Sequence, residues 1–429
     1  MRTRTLTTLA AIVLLLTGFV HGGDWPQWNG PKRDGHADEK GLLKAWPVRG
    51  PKLLWTYKDG GTGFTAPAVV GGKIYTLGAR KGEEYVIGLD NMGKEIWANA
   101  VKIGPPAAFA GNVWSFGPNS TPAVDGELLY ALGSQGVLVC VETASGKEKW
   151  RKDLPKELKA SVDAIGGGAP GFGWGFSWSP LVDGDNVIIT PGGPDGLVAA
   201  LDKKTGALKW QSKAVAEECT YASPIVVEVA GVRQYIALSQ KGAYGVDAKS
   251  GALLWSYKSG KNWPDMACVT PVFHDDHVFI TATKGGCDLF KIAKAGAVFT
   301  ATKVYAKNTM NTFHGGVVLV NGHIYGSNEL NNWRCVEFMT GKQVWSEREP
   351  NVGSITVADG LMYTLGQDSD TVSLVDMTPA GLKEVGTFPL PAVSALRKSN
   401  AKAWTHPVVA DGKLFIREQE MLFCYELKK

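Results

Sequence analysis

Residues Ala200–Trp210 read ALDKKTGALKW, and residues Gly245–Trp255 read GVDAKSGALLW, which is nearly the same phrase. Two further copies, CVETASGKEKW and CVEFMTGKQVW, end at Trp150 and Trp345. In all four copies an acidic residue stands four positions before a glycine and eight positions before a tryptophan. Self-similarity at a period of about 40–60 residues indicates a protein built from repeated copies of one structural unit.

Each repeat unit opens with an apolar stretch that leads into a glycine turn. In six of the openings a proline stands at the start of this stretch, where a strand tolerates the missing N–H. The eight openings begin at Thr65, Ser120, Ser179, Ser223, Thr270, Gly315, Ser354 and His406. Two strands flank the glycine turn, a third leads into the acidic turn, and a fourth carries the tryptophan. We therefore expect eight units of four strands each.

The acidic turn and the tryptophan have a packing explanation. An Asp or Glu side chain can accept backbone N–H groups in a tight turn, and the glycine supplies a positive φ. A four-stranded unit cannot bury both faces alone, and an indole ring is large enough to fill the gap between two radially stacked sheets. The sequence predicts an all-β, eight-bladed β-propeller, with interface tryptophans at Trp55, Trp97, Trp150, Trp210, Trp255 and Trp345.

The last unit lacks its fourth strand, because the sequence ends with MLFCYELKK, at Met421–Lys429, before any tryptophan strand. The missing strand stands at the other end of the chain, where KLLWTYK at Lys52–Lys58 matches ALLWSYK at Ala252–Lys258. We expect this N-terminal strand to complete the last blade and close the ring, which removes two exposed sheet edges.

Three units depart from the repeat, so we expect weaker interfaces there. The stretch GLDNMGKEIW, which ends at Trp97, is one residue short in its turn. The stretch FKIAKAGAVF loses the acidic residue and has Phe299 in place of the tryptophan. The stretch LVDMTPAGLKEV, which ends at Val385, has no tryptophan.

The repeat resembles the tryptophan-docked propellers of the pyrroloquinoline quinone (PQQ) dehydrogenases and their non-enzymatic relatives. The opening DWPQWNGPKRDG, at Asp24–Gly35, is similar to exported PQQ-like repeat proteins of planctomycete-type bacteria. For the enzymes, the resemblance implies PQQ in the central channel, Ca²⁺ and a pair of adjacent bonded cysteines. This sequence has no two adjacent cysteines. The non-enzymatic relatives include the propeller lipoprotein of the Bam complex, and the repeat motif is specific for fold rather than for function.

The N-terminus has the pattern of a targeting segment. Arg2 and Arg4 precede an apolar stretch, Leu6–Val20, that is short for a membrane span. We expect cleavage near Gly23, so that residues 1–22 are a signal peptide and residues 23–429 form a single propeller domain. This predicts a periplasmic or secreted monomer with no transmembrane segment after processing. The alternative is an N-terminal anchor that stays uncleaved, and no cysteine follows the apolar run to carry a lipid.

Charge and cysteine usage exclude two classes of function. The net charge is +4 and no run of Lys or Arg is long enough for a nucleic-acid stripe. Six cysteines are present, and Cys140, Cys335 and Cys424 occupy apolar strand positions, which favours buried thiols over disulfides. No Cys-x-x-Cys motif or zinc-type spacing occurs, so no metal site is predicted.

Residues just before the first strand of each blade should gather at one end of the channel, because that strand is the innermost. The expected ligand-binding residues there are Trp114, Phe116, Asn119, Trp174, Trp178, Tyr221, Asp265, His314, Trp404 and His406. A circle of aromatic side chains at the end of the channel suits stacking on a sugar, a planar cofactor or an aliphatic chain. His314 could act as a base or a ligand, and the glycines after it would let a ligand approach the backbone. The alternative is that these aromatics only plug the channel and pin loops.

We therefore expect an exported propeller that binds a small molecule, a saccharide or an envelope protein at this end of its channel. One alternative is a quinoprotein-type alcohol or sugar dehydrogenase that uses PQQ and Ca²⁺. The other is a scaffold for envelope assembly. The sequence assigns no catalytic residue.

Overall fold

A computed structural model describes residues 23–98, 102–104, 117–162, 174–259, 267–328, 331–397 and 402–428. Within these ranges the protein is built from strands arranged in eight sheets, and the one helix, Leu154–Leu158, is short. The expected signal peptide, residues 1–22, lies outside the described residues. Among the described residues, no helix is both long enough and apolar enough to span a membrane.

The first four blades are antiparallel sheets whose strands follow chain order from the innermost to the outermost. Blade 1 consists of Ala68–Val70, Lys73–Arg80, Glu83–Leu89 and Glu95–Trp97, with Lys102–Gly104 added beside the third strand. Blade 2 consists of Ala123–Asp125, Leu128–Leu132, Val137–Glu142 and Glu148–Asp153. Blade 3 consists of Leu181–Asp183, Asn186–Ile189, Ala199–Asp202 and Leu208–Gln211. Blade 4 consists of Ile225–Val229, Val232–Ser239, Gly242–Asp247 and Leu253–Lys258.

The remaining four blades repeat this arrangement. Blade 5 consists of Val272–His274, His277–Ala282, Gly286–Ala295 and Val298–Lys307. Blade 6 consists of Val317–Val320, His323–Ser327, Trp333–Glu337 and Gln343–Glu347. Blade 7 consists of Gly353–Ala358, Leu361–Gly366, Thr371–Thr378 and Gly381–Pro389, with His36–Ala37 added parallel to its first strand. Blade 8 consists of Val408–Ala410, Lys413–Glu418, Met421–Glu426 and Leu53–Tyr57. The predicted eight-bladed fold is confirmed.

The N-terminal strand closes the ring as the sequence predicted. Leu53–Tyr57 runs antiparallel to Met421–Glu426, with Trp55 opposite Cys424 and Tyr57 opposite Leu422. The last blade is therefore completed by residues that precede the first blade in the chain.

The acidic turn between the third and fourth strands of blade 3 has the geometry that the sequence predicts. The Asp202 carboxylate accepts the backbone N–H groups of Lys204 and Thr205 at 3.1 and 3.0 Å. Gly206 has a φ of 71°, a conformation that disfavours residues with a Cβ. The turn therefore has a flat surface at Gly206, and the Asp202 carboxylate holds the turn in place.

That surface receives the tryptophan of the preceding blade. A Cβ added to Gly206 would lie 2.8 Å from the Trp150 indole ring, so only glycine leaves room for it. The Trp150 indole N–H donates to the backbone carbonyl of Lys203 at 3.1 Å. The same ring-on-glycine contact recurs for Trp55 on Gly93, Trp97 on Gly146 and Trp210 on Gly251.

Two other predicted interface tryptophans dock without contacting the turn glycine of the next blade. Trp345 donates its indole N–H to the carbonyl of Thr378, in the turn of blade 7, at 2.8 Å. Trp255 is buried against Phe290 of blade 5, with ring centroids 5.5 Å apart, and bonds Gln234 of its own blade.

Blade 5 does contribute a ring to the next interface, at a position other than the one that the repeat indicated. The Tyr305 hydroxyl donates to the carbonyl of Phe338 at 2.9 Å, and a Cβ on Gly341 would lie 2.7 Å from the Tyr305 ring. Phe299 instead packs in the hydrophobic cluster between blades 4 and 5. The two outer strands of blade 5 are ten residues long each, which moves the docking position along the chain to Tyr305.

Blade 7, which lacks its own tryptophan, receives one from the N-terminal region. Trp46 is buried between blades 7 and 8, 5.2 Å from the Phe388 ring and 5.9 Å from the Tyr363 ring. A Cβ on Gly386 would lie 2.7 Å from the Trp46 side chain. The repeat pattern gave no sign of this substitution, because Trp46 lies outside any repeat.

The central channel is occupied by Gly23–Ala37, which we call the channel segment. Trp25 exchanges backbone hydrogen bonds with Val69 of blade 1, at 2.7 and 2.8 Å. The carbonyl of Pro26 accepts from blade 2, that of Gly35 from blade 7, and that of Gly23 from the turn of blade 8. The channel segment therefore pairs with inner edges of first strands that the blades themselves leave unpaired.

Two side chains of the channel segment reach the end of the channel where the first strands of the blades begin. The Trp28 indole N–H donates to the Thr270 hydroxyl at 2.8 Å. The buried Arg33 guanidinium donates to the carbonyls of Ser179 and Pro180 at 2.9 and 3.0 Å. Burial lowers the Arg33 pKa to about 9. These bonds tie the segment to the loops that precede blades 5 and 3.

A buried arginine joins the last blade to the first. Arg417, in the second strand of blade 8, donates to the carbonyls of Gly60 and Gly61 at 3.1 Å each. It also donates to the Thr76 hydroxyl and to the carbonyl of Leu77, both in blade 1. Burial lowers the Arg417 pKa to about 10. The ring is therefore closed by hydrogen bonds from this side chain as well as by the N-terminal strand.

Trp150→Ala is expected to lower the free energy of unfolding by about 3–5 kcal/mol, because it empties the space above Gly206. Denaturant titration of the two proteins measures the difference. Trp150→Phe, which keeps a ring in the gap, should lose much less. A loss below about 1 kcal/mol for the alanine variant would contradict ring docking as a stabilising contact.

Arg417→Met is expected to lower the free energy of unfolding by about 3–5 kcal/mol, because it leaves several buried acceptors without a donor. Arg151→Met is the control, since Arg151 pairs with Glu148 on the surface and should change stability by about 0.5 kcal/mol or less. Calorimetry and denaturant titration measure both. Equal effects would show that Arg417 does not hold the ring closed.

Candidate functional site

A cavity lies at the end of the channel where the first strands begin. Its space, including the part open to solvent, is about 720 Å³. The described residues that line it are Trp28, Phe64, Asn119, Trp174, Ser177, Tyr221, Ser223, Cys268, His314, Trp404 and His406. Apart from Trp28, each stands shortly before the first strand of its blade. The propeller therefore brings residues distant in sequence to one site.

The structure brings together six of the residues that the sequence selected. They are Asn119, Trp174, Tyr221, His314, Trp404 and His406. They come from five blades, since Trp404 and His406 both precede blade 8, but each stands shortly before the first strand of its blade. Radial repetition turns that shared position into proximity. Trp114, Phe116 and Asp265 lie outside the described residues. Whether the six bind a ligand stays a prediction.

Trp178 does not line the cavity, so its assignment as a ligand-binding residue is corrected. Its side chain is fully buried in the hydrophobic cluster that also holds Trp150 and Phe176. Ser177, between the two buried aromatics, faces the cavity instead. Phe176 and Trp178 turn away from the channel into the packing between blades.

Five lining residues were missed, and the largest of them is Trp28. It comes from the channel segment, whose course no repeat pattern could show. Phe64, Ser177, Ser223 and Cys268 stand in the same pre-strand position as the residues that were selected. Applying the positional rule to every blade, regardless of residue type, would have found these four.

Aromatic rings cover much of the cavity surface. Trp404 stacks on His314 with ring centroids 4.3 Å apart and planes 23° from parallel. Phe64 and Trp174 lie 5.3 and 6.3 Å from Trp404, both tilted toward it. On the other side, Trp28 meets the His406 ring edge-on at 4.7 Å. The cavity therefore offers several flat, apolar faces.

The two histidines are linked to each other. His406 Nε2 lies 3.0 Å from the carbonyl oxygen of His314. Since a carbonyl only accepts, Nε2 must carry the hydrogen, and the neutral ring keeps a lone pair on Nδ1. Among the described residues, His406 Nδ1 and His314 Nδ1 are buried and have no hydrogen-bond partner.

Both imidazoles are neutral over the physiological pH range. Burial, with smaller contributions from His406 and Lys402, lowers the pKa of His314 to about 3. Burial lowers the pKa of His406 to about 4, partly offset by its bond to the His314 carbonyl. The histidines therefore act as polar, uncharged groups.

The remaining polar groups of the cavity are also uncharged. Asn119 Nδ2 donates to the Ser177 hydroxyl at 3.3 Å, and the Tyr221 hydroxyl accepts the Trp174 backbone N–H at 3.2 Å. The Ser223 hydroxyl accepts the backbone N–H of Ser179 at 2.9 Å. No Asp, Glu, Lys or Arg is among the described lining residues. The described residues also hold no group of three or more His, Cys, Asp or Glu side chains suited to a metal ion.

The glycines after His314 serve packing within the protein. A Cβ on Gly316 would lie 3.1 Å from the His406 ring, and one on Gly315 would lie 2.2 Å from the carbonyl of Gly353. Gly316 also has a φ of 72°. Glycine at these two positions therefore leaves room for the neighbouring blades. Whether a ligand approaches this backbone stays a prediction.

The chain resembles two groups of known proteins. The outer membrane protein assembly factor BamB of Moranella endobia is 24% identical over 284 residues, which cover 61% of this chain and 65% of that protein. The quinoprotein alcohol dehydrogenase PedH of Pseudomonas putida is 24% identical over 226 residues, which cover 49% of this chain and 32% of that protein. The chain thus matches less than two thirds of the length of these curated relatives.

Solved structures share the fold at lower identity. BamB from Moraxella catarrhalis aligns with a TM-score of 0.62 and 14% identity, covering 88% of this chain and all of that one. Quinohemoprotein alcohol dehydrogenase from Comamonas testosteroni aligns with a TM-score of 0.66 and 12% identity, covering 94% of this chain and 80% of that one. At this level of identity the likeness shows the fold alone.

The pattern of one sequence family, described as outer membrane protein assembly factor BamB, matches residues 82–347. This match covers more than half of the chain and begins and ends within the repeats. The observed eight-bladed fold and the tryptophan docking agree with it. The chain therefore belongs to this family of PQQ-like propellers.

Proposed function

We propose that this protein binds a small, uncharged ring ligand, such as a saccharide, in the aromatic cavity. The observation that carries the proposal is the cavity lining, in which several aromatic faces alternate with neutral polar groups and no described residue is charged. Stacking on Trp404 and Trp174 would hold the flat faces of a ring. Asn119, Ser177 and Ser223 would fix its orientation through hydrogen bonds.

The neutral polar groups of the lining favour a ligand that both donates and accepts hydrogen bonds. Asn119, Ser177 and Ser223 offer an amide and two hydroxyl groups at the cavity. Sugars carry hydroxyl groups around an apolar ring face, so a sugar could bond these groups while its ring stacks on an indole.

We also propose that the protein acts in the cell envelope. The leader-like N-terminus supports export, and the family match supports an envelope location. The aromatic cavity would then meet ligands outside the cytoplasm.

A quinoprotein dehydrogenase is not supported by the described residues. The described lining lacks the carboxylates that Ca²⁺ prefers and the cationic groups that would balance an acidic quinone. The sequence also has no adjacent cysteine pair. Because this donor set does not fit PQQ and Ca²⁺, no step of the proposed function involves them.

A role in envelope assembly is the second candidate, and the family match is the observation that favours it. In that case the protein would bind a protein partner through its outer surface. Variants in the cavity would then leave function unchanged. The ligand titration below distinguishes the two, because a scaffold has no need to bind a small ring in its channel.

Glucose and its β-1,4-linked oligomers are expected to quench tryptophan fluorescence saturably and to slow the alkylation of Cys268 by iodoacetamide. Cys268 lines the cavity and is partly exposed, whereas the other five cysteines are buried. Mass spectrometry of the native, labelled protein measures the protection. Cys268→Ser should abolish native-state labelling, which shows that the signal comes from this site.

His314→Ala should weaken saccharide binding about threefold to tenfold, because it removes one ring of the stack. His323→Ala is the matched control, since His323 follows the turn at the opposite end of the same blade's first strand. Saturable binding that neither protects Cys268 nor responds to His314→Ala would place the ligand elsewhere. No binding by the wild type to any of these sugars would reject the proposal and favour the scaffold.

Saccharide affinity is expected to stay constant between pH 8 and 5 and to fall only as the pH approaches 4. The folded-state pKa values of about 3 for His314 and about 4 for His406 lie below the ordinary value of 6.5. The neutral forms are therefore kept above pH 5, and acid charges the cavity only below it. Calorimetric titration across this range measures the profile. A transition near pH 6.5 would show that a cavity histidine titrates normally.

A further inference from the structure

We infer that the channel segment is part of the ligand site and that Trp28 determines which ring sizes fit. This inference rests on the proposed function. Trp28 is the one described lining residue that no blade supplies. The other described lining residues come from the repeats, and we call them the walls of the cavity. We call Trp28 its floor, because Trp28 belongs to the segment that runs along the channel.

The position of Trp28 is fixed from both sides. Its indole N–H is bonded to the Thr270 hydroxyl at 2.8 Å, in the loop before blade 5. Its ring lies against His406, 4.7 Å away, in the loop before blade 8. The floor is therefore anchored to two blades as well as to its own segment.

The segment itself is held in one conformation by a compact turn. Asn29 and Gly30 have φ values of 56° and 80°, as an Asn-Gly turn permits. A Cβ on Gly30 would lie 2.9 Å from the Trp25 ring, so the turn packs directly on Trp25 of the same segment. The Gly35 N–H closes the turn on the carbonyl of Asn29 at 3.0 Å. The depth of the cavity is thus set by a rigid element.

Ring contacts connect this floor to the wall. Trp28 touches His406, His406 is bonded to the His314 backbone, and the His314 ring stacks on Trp404. A ligand that reaches the floor would contact rings from the channel segment and from blades 6 and 8 together. A floor of indole favours a single flat ring, and its removal would deepen the cavity for a longer ligand.

Trp28→Ala is expected to weaken glucose binding about threefold to tenfold and to shift preference toward cellobiose. The loss follows from the missing stacking face, and the shift follows from the added depth. Without any ligand, Cys268 should also react faster with iodoacetamide, because Thr270 loses its indole partner two residues away. Calorimetry and labelling kinetics measure the two effects.

Trp46→Ala is the control, since Trp46 is buried between blades 7 and 8, outside the channel segment, and does not line the cavity. It should lower stability and leave the ratio of cellobiose to glucose affinity unchanged. Equal shifts in both variants, or no shift in Trp28→Ala, would overturn the inference.

If Trp28→Ala does not fold, Trp28→Phe and Thr270→Val replace it. Trp28→Phe keeps a smaller ring and should shift the ratio partway, and Thr270→Val should raise the Cys268 labelling rate. An unchanged ratio and labelling rate in both would overturn the inference. Failure of the wild type to bind any sugar would reject the proposed function itself, which is a different result from an unaltered preference in the variants.

Discussion

The packing of an indole ring on a glycine turn is the contact on which this fold depends. A four-stranded blade has two faces to cover, and neighbouring blades splay apart toward the rim of the ring. Trp150 on Gly206 fills such a gap, and the Asp202 carboxylate holds the receiving turn. The same contact at successive blades gives the ring its regular spacing.

Closure of the ring shows how departures from the repeat are compensated. Blade 7 lacks a tryptophan, and Trp46 from outside the repeats fills its interface. Blade 5 uses Tyr305, whose hydroxyl reaches the same type of turn carbonyl that an indole would reach. Arg417 adds a buried set of hydrogen bonds between blades 8 and 1. A ring thus fills each of these two irregular gaps, from Trp46 in one and from Tyr305 in the other.

The channel segment links this architecture to the candidate site. Radial symmetry leaves the inner edges of the first strands unpaired, and Trp25 and Gly35 use some of these edges for backbone hydrogen bonds. The segment runs along the channel, and its Trp28 forms part of the lining of the cavity at one end. The proposed ligand site therefore depends on the channel segment as well as on the blades.

The sequence by itself determined the repeat, the number of blades, the closing strand and the clustering of residues such as His314 and Trp404. These follow from local periodicity and from one positional rule, so they need no three-dimensional information. Only the tertiary structure shows the roles of Trp46, Arg417 and Trp28, because each contacts residues far away in the chain. Trp46 and Trp28 lie outside the repeats, and Arg417 is not one of the residues that define the repeat pattern. The tertiary structure also moved Trp178 from the cavity to the core, since one residue's difference in an extended segment reverses the direction of a side chain. Local patterns fix the unit, whereas only packing fixes what fills the space between units.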